Sequence, residues 1–201
     1  MRMIRTGDIL PEPAIDPRTG RLYLVWQDAR FNGGANDQLV ISTSHDRLGR
    51  TGTWSAPALV SPAGDPAAFT GMPIVNRRGQ VGVSFFDFRR LEKTTPDTVL
   101  PTDVWLRVFE GGSLELERET HLSGSFNMEA APTAGGLFVG DYEAIVADPR
   151  TGSFVPLWVQ TNCADTSCTA IGNPTGAPTG GPDPTDVFTT RVAGGDDEDA
   201  G

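Results

Sequence analysis

Apolar residues along this chain come in short runs broken by polar ones, and no stretch shows the three-to-four spacing of an amphipathic helix. Leu22-Tyr-Leu-Val-Trp26 and Val81-Gly-Val-Ser-Phe85 read as strands, rich in β-branched and aromatic side chains. Asp37-Gln-Leu-Val-Ile-Ser-Thr43, Asp103-Val-Trp-Leu-Arg-Val-Phe109 and Asp186-Val-Phe-Thr-Thr-Arg-Val192 alternate in part, as half-buried strands do. Residues 54–61 and 116–123 supply a further strand to the first two sets, whereas the third stops after Val192.

These strands fall into a repeat. Asp16-Pro-Arg-Thr-Gly20 recurs letter for letter as Asp148-Pro-Arg-Thr-Gly152, with Asn76-Arg-Arg-Gly79 as a shorter version between them. Each ends on a glycine, as a tight turn with positive φ requires. Six residues after each glycine stand Trp26, Phe85 and Trp158, and eight residues after it stand Asp28, Asp87 and Gln160. The turns open 60 and 72 residues apart, which suits a four-stranded propeller blade with its loops. The expectation is therefore an all-β chain, a partial β-propeller of about three four-stranded blades, in units of about 11–61, 71–123 and 140–192. A propeller has about four to eight blades. Three units do not close such a ring, so the chain is expected to be a fragment or to assemble with blades from a longer chain or another subunit.

Composition sharpens this picture. With 24 Gly and 16 Pro among 201 residues, the chain is rich in turn formers, as an all-β protein is. The segment 172–184, built from Gly, Pro, Thr, Asn, Ala and Asp, has no apolar face and is expected to be a flexible insert. Residues 193–201, with Asp196-Asp-Glu-Asp199, are expected to form a disordered acidic tail. A formal net charge of −10 argues against nucleic acid as a partner, because phosphates would be repelled. No apolar run is long enough to span a membrane. Residues 1–8 lack the apolar core of a signal peptide, so either the protein is cytosolic or its natural start lies further upstream.

Cys163 and Cys168 are the only cysteines. They read as a disulfide around residues 164–167 or as half of a zinc site, and the only histidines, His45 and His121, are distant in sequence. A disulfide closing so small a loop would contribute about 2 kcal/mol and would imply an oxidising compartment. That agrees with an upstream start and an extracellular, periplasmic or cell-surface parent protein.

Ser44-His-Asp46, followed by Gly49, Thr51 or Thr53, and Trp54, resembles a loosened Asp box, Ser-x-Asp-x-Gly-x-Thr-Trp, the mark of the bacterial neuraminidase repeat. With Gly140-Asp-Tyr142, the Trp/Phe-x-Asp-x-Arg pattern and residues 186–192, the chain resembles bacterial exo-α-sialidase-like propellers over nearly its whole length outside the insert and the tail. The resemblance implies that Ser44, Asp46 and Trp54 are structural, and that their turn lies on the face away from an active site. The loops after each second strand, and the joins between blades, then lie on the opposite face.

That face offers the candidate chemistry. Asp28-Ala-Arg30 and Asp87-Phe-Arg89 start its loops, and an arginine there can grip a sugar carboxylate through a bidentate contact. The alternative is that each Asp caps its turn and pairs with its own Arg. Asp37, Asp103 and Asp186 likewise read as turn caps. A sialidase of the family uses a tyrosine nucleophile assisted by a glutamate, and Tyr142 with Glu129 would be that pair if the fold brings them together; otherwise Tyr142 packs at the base of a strand. The family's first-blade arginine motif and its acid/base aspartate have no counterpart here. No cofactor or metal is specified, although Asp28, Asp37 and Asp141 are of the residue type that holds calcium. Two functions stay open: an exo-α-sialidase-type glycoside hydrolase, or a non-catalytic propeller that binds a glycan or protein ligand.

Overall fold

The computed structural model describes residues 3–6, 10–64, 66–162 and 185–194. The insert, the acidic tail and Cys163 with Cys168 lie outside the described residues. Those described form three antiparallel sheets and no α-helix. No helix among them is long and apolar enough to cross a membrane.

The first sheet holds β1 (Glu12–Ile15), β2 (Leu22–Asp28), β3 (Gln38–Ser44) and β4 (Ala58–Leu59), in that order across the sheet. The second repeats this with β5 (Ala68–Val75), β6 (Gln80–Asp87), β7 (Pro101–Glu110) and β8 (Leu116–Asn127). The third has three strands among the described residues, β9 (Ala144–Ala147), β10 (Phe154–Thr161) and β11 (Thr185–Thr189), with β10 in the middle. The last strand is shorter than the alternation of residues 186–192 suggests. After Thr189 the chain leaves the ladder and returns through one bridge between Phe154 and Val192.

The three repeated turns share one hydrogen-bond scheme. Asp16 accepts from the Arg18 amide at 2.9 Å, Asn76 from the Arg78 amide at 2.9 Å, and Asp148 from the Arg150 amide at 2.8 Å. Gly20, Gly79 and Gly152 close these turns at φ +74°, +85° and +79°, a region that a side chain with a Cβ disfavours. The turn around Ser44, Asp46 and Trp54 is built as firmly. The Ser44 hydroxyl lies 2.7 Å from that of Thr53, Asp46 accepts from the Leu48 amide at 3.1 Å, and the Trp54 indole donates to the Gly49 carbonyl at 3.1 Å. Arg47 of this turn donates to Thr19 O at 3.0 Å, which puts both turn types of the first sheet on one face of the molecule.

The sheets stack in chain order. Val81, Val83 and Phe85 on one side of the second sheet pack with Tyr23, Val25, Leu39 and Ile41 of the first. On its other side Phe86 and Val104 pack with Trp158, while Leu106 and Val108 pack with Phe154 and Ile145 of the third. With both faces covered, β6 is buried along almost its whole length, which explains an apolar run with little alternation. The first strands of the sheets, β1, β5 and β9, lie at the inner edge, with β5 touching both others.

Close approach here depends on Gly82. A Cβ at this position would stand 2.7 Å from two ring carbons of Phe154, a side chain with no exposed surface. Gly82→Ala is therefore expected to destabilise the protein by about 1–3 kcal/mol through overpacking. Thermal denaturation should show this as a lowered Tm, and an unchanged Tm would contradict the packing described.

Candidate functional site

The loops after β2 and β6 and the joins between sheets gather on the face opposite the turns. At the inner edge of this face is a shallow, open cleft with room for about one water molecule, lined by Glu12, Trp26, Gln27, Thr70, Met72 and Asp141 among others. Each sheet contributes through its inner edge. Glu12 begins β1, Thr70 sits at an irregularity in β5, and Asp141 precedes β9.

The cleft floor is a polar web. Gln27 Nε2 donates to Thr6 Oγ1 at 3.2 Å, and Gln27 Oε1 accepts from the Thr70 amide at 3.4 Å. Thr70 Oγ1 reaches Thr6 O at 3.4 Å. Thr70 adopts φ +51°, a conformation that costs a β-branched residue energy and that is held where β5 slips register against β6 between Phe69 and Met72. Asp141 receives Arg5 at 3.3 Å, and the Arg5 guanidinium also lies 4.5 Å from the Phe138 ring centre.

Glu12 is different from its neighbours. It is half-buried, its side chain makes no hydrogen bond or ion pair with any described residue, and burial alone raises its pKa. A second perturbed carboxyl, Glu143, stands just before β9. Burial pushes its pKa up to about 8, and its one hydrogen bond, accepted from the Val159 amide at 3.4 Å, opposes the shift weakly. Sequence reasoning singled out neither residue. For Glu12 a signal was present: eight residues before the turn glycines stand Glu12, Gly71 and Ala144, so a carboxylate takes the place of small residues in the other two units.

The anticipated site residues have the following places. Arg30 binds Asp28 through a contact of 2.5 Å, and Asp28 also accepts from the Trp26 indole at 3.0 Å, so that its pKa falls to about 2, chiefly through the Arg30 hydrogen bond. Arg89 donates to Asp87 at 2.6 Å, reaches Glu119 with both terminal nitrogens at 2.8 and 3.2 Å, and lies 3.6 Å from the Trp105 ring centre. The Trp105 indole in turn donates to Asp87 at 3.1 Å, repeating the Trp26–Asp28 contact from a neighbouring strand. The pattern at both turns is that of an Asp capping its loop and holding its own Arg. Glu119 continues the network to Arg107, which donates to Val60 O at 2.7 Å and so ties the second sheet to the join after the first.

Tyr142 is 77% exposed and does not pack at a strand base; it has no hydrogen bond or ring contact among the described residues. Glu129 lies in the turn after β8, its amide donating to Asn127 at 3.0 Å. Asp103, read as a turn cap, is fully buried and accepts from Ser125 at 3.0 Å, with His121 Nε2 at 2.7 Å. Asp186 is bonded by Asn162 at 2.7 Å. Among the described residues no group of three or more His, Cys, Asp or Glu is placed to hold a metal ion.

No family model matches the chain, and no curated protein matches it. Among solved structures it is similar to the Hadza microbial sialidase Hz136, at 11% identity over 75% of this chain and 32% of that one, with a TM-score of 0.44. It is also similar to an endo-arabinase from Bacteroides thetaiotaomicron VPI-5482, at 18% identity over 74% of this chain and 50% of that one, with a TM-score of 0.46. The chain thus spans about a third and a half of the lengths of these two proteins.

Glu143 sets a pH dependence. Between the ordinary carboxyl value of 4.5 and about 8, the folded protein keeps a proton on Glu143 that the unfolded chain has released. Stability therefore falls as pH rises through that window. Glu143→Gln keeps an acceptor for the Val159 amide without the charge. It should raise stability at pH 8 by about 1–2 kcal/mol while changing it little at pH 4.5. Denaturant unfolding of both proteins across this range measures the difference; parallel curves would refute the assignment.

Proposed function

We propose that this chain is a section of a glycan-acting β-propeller of the sialidase-like kind, and that it contributes one wall of a carbohydrate cleft. Three sheets stacked in chain order, each with its first strand at the inner edge, support the propeller reading, as does the hydrogen-bonded turn at Ser44, Asp46 and Trp54. In this reading further blades, from a longer chain or another subunit, complete the ring. The parent protein then works outside the cytosol, where glycans are reached and Cys163 and Cys168 would be oxidised.

The observation that carries the reading is the cleft at the inner edge, where Glu12 presents a carboxylate with no partner of its own. Sugar hydroxyls are donors that such a group accepts, and polar groups converging on a concave site are how small ligands are oriented. A non-catalytic binder is the second reading. It is favoured by the placement of Tyr142, exposed and without a carboxylate contact that would take up its proton.

A glycan array probed with the intact chain tests both. Glycan capture weakened at least tenfold by Glu12→Ala supports the cleft as the binding site, and capture of no glycan overturns the reading. Release of 4-methylumbelliferone from a fluorogenic glycoside, lost in Glu12→Ala, would place the protein with the hydrolases.

A further inference from the structure

The repeat that aligns the three sheets also tells which side of each sheet its neighbour covers. Residues three, five and seven positions after a turn glycine face the following sheet, and those two, four and six positions after it face the preceding one. In the third sheet the first set is Val155, Leu157 and Val159, and in the first sheet the second set is Leu22, Leu24 and Trp26. Among the described residues no sheet packs against either set. Both open faces are nevertheless as apolar as the covered ones. Val187 stands beside Val159 and is 70% exposed, whereas Val104 and Leu39, at the same place on the second and first sheets, are 1% exposed. Ile15 stands beside Leu22 and is 53% exposed, whereas Val75, beside Val81, is 6% exposed. Leu22, Leu24 and Trp26 are half-buried where their counterparts Val81, Val83 and Phe85 are fully buried.

One charged position repeats in the same way. Arg78 Nη1 donates to Gly194 O of the following sheet at 3.2 Å, and the Arg18 guanidinium lies where a Cβ on Gly79 of its following sheet would stand. Arg150 has this place in the third turn. It is exposed, and its side chain makes no hydrogen bond or ion pair with a described residue. The position that Gly194 holds across from Gly152 is held in the first sheet by Asp46, across from Gly20. We infer that the open face of the third sheet receives the open face of the first sheet of a second copy, and that two copies close one ring. Val146, Val155, Leu157 and Val187 of one copy then pack on Ile15, Leu22 and Leu24 of the other, with Arg150 reaching the turn at Asp46. Two copies bring six sheets, within the range of about four to eight blades, whereas one copy brings three and three copies bring nine. Contact of β5 with both β1 and β9 at the inner edge gives each copy the wedge form that a ring needs. The two contacts are identical, and each joins unlike faces about a two-fold axis running along the ring axis.

The inference rests on the propeller part of the reading above and not on what the cleft binds. Sedimentation equilibrium of the intact chain tests it. The expected mass is that of two chains, with no further growth as concentration rises to about 100 µM. Val187→Asp and Ile15→Asp both alter positions that are exposed in a single copy, so each is expected to leave the far-UV circular dichroism unchanged. Each should weaken pairing at least tenfold, because either substitution lies in both contacts of the ring. A single-chain mass at about 100 µM would overturn the inference and leave the remaining blades to a longer chain. A mass that climbs past two chains would also overturn it, as would a pair that survives either variant. The glycan array, read on the same samples, keeps the two readings apart. A single chain that captures glycan overturns the pairing alone, a pair that captures none overturns the glycan reading alone, and a single chain that captures none overturns both.

Discussion

The second sheet is buried on both faces, and that double burial organises the rest of the molecule. Tyr23, Val25 and Leu39 cover one side, and Phe154 and Trp158 cover the other. A sheet sandwiched in this way has solvent only along its strand ends and its outer edge, so polar chemistry is confined there. At one set of strand ends lie the hydrogen-bonded turns. At the other lie the cleft and the arginine–carboxylate network. Glycines set close approach on both sides of this sheet, Gly71 against Val25 and Leu39 and Gly82 against Phe154, and Glu12, Thr70 and Asp141 line one cleft.

Polar groups on the cleft face divide into those already satisfied and those that are not. Asp87, Arg89, Glu119 and Arg107 answer one another and fasten the second sheet to the carbonyl of Val60. Such a network fixes geometry, because removing any one member strands a charge in a place poor in water. Glu12 has no such answer, and the energetic cost of its burial is borne by the surrounding apolar stack. The contrast distinguishes carboxylates that hold the fold from one that lines the cleft without a partner among the described residues.

Much of the architecture was legible in the sequence, and the reason is local. Turns at Asp16, Asn76 and Asp148 are specified by residues a few positions apart, since an Asx side chain reaches the amide two residues on and a glycine closes the loop. Strand identity followed from side-chain type within the same short windows. The candidate site was far less legible. Whether Arg30 and Arg89 would be available or engaged depends on a rotamer choice that the spacing Asp-x-Arg permits either way. His121 and Asp103 lie 18 residues apart and meet because β7 pairs with β8 so that His121 stands opposite Trp105, two residues from Asp103 on the same face. Glu12 and Asp141 come together through the stacking of whole sheets, which no local pattern encodes.

The contacts between sheets on the turn side run in one direction. Tyr23 of the first sheet donates to the carbonyl of Gly111 in the second, and Asn76 and Arg78 of the second donate to the carbonyls of Gly152 and Gly194 beyond it. Donors lie on the leading surface and acceptors on the trailing one, so the stack has a polarity like that of a head-to-tail filament. A surface of this kind is not complementary to itself. Any added sheet must approach with its acceptors toward the donors of the last, which rules out a two-fold, face-to-itself pairing through these contacts and leaves circular closure or linear growth.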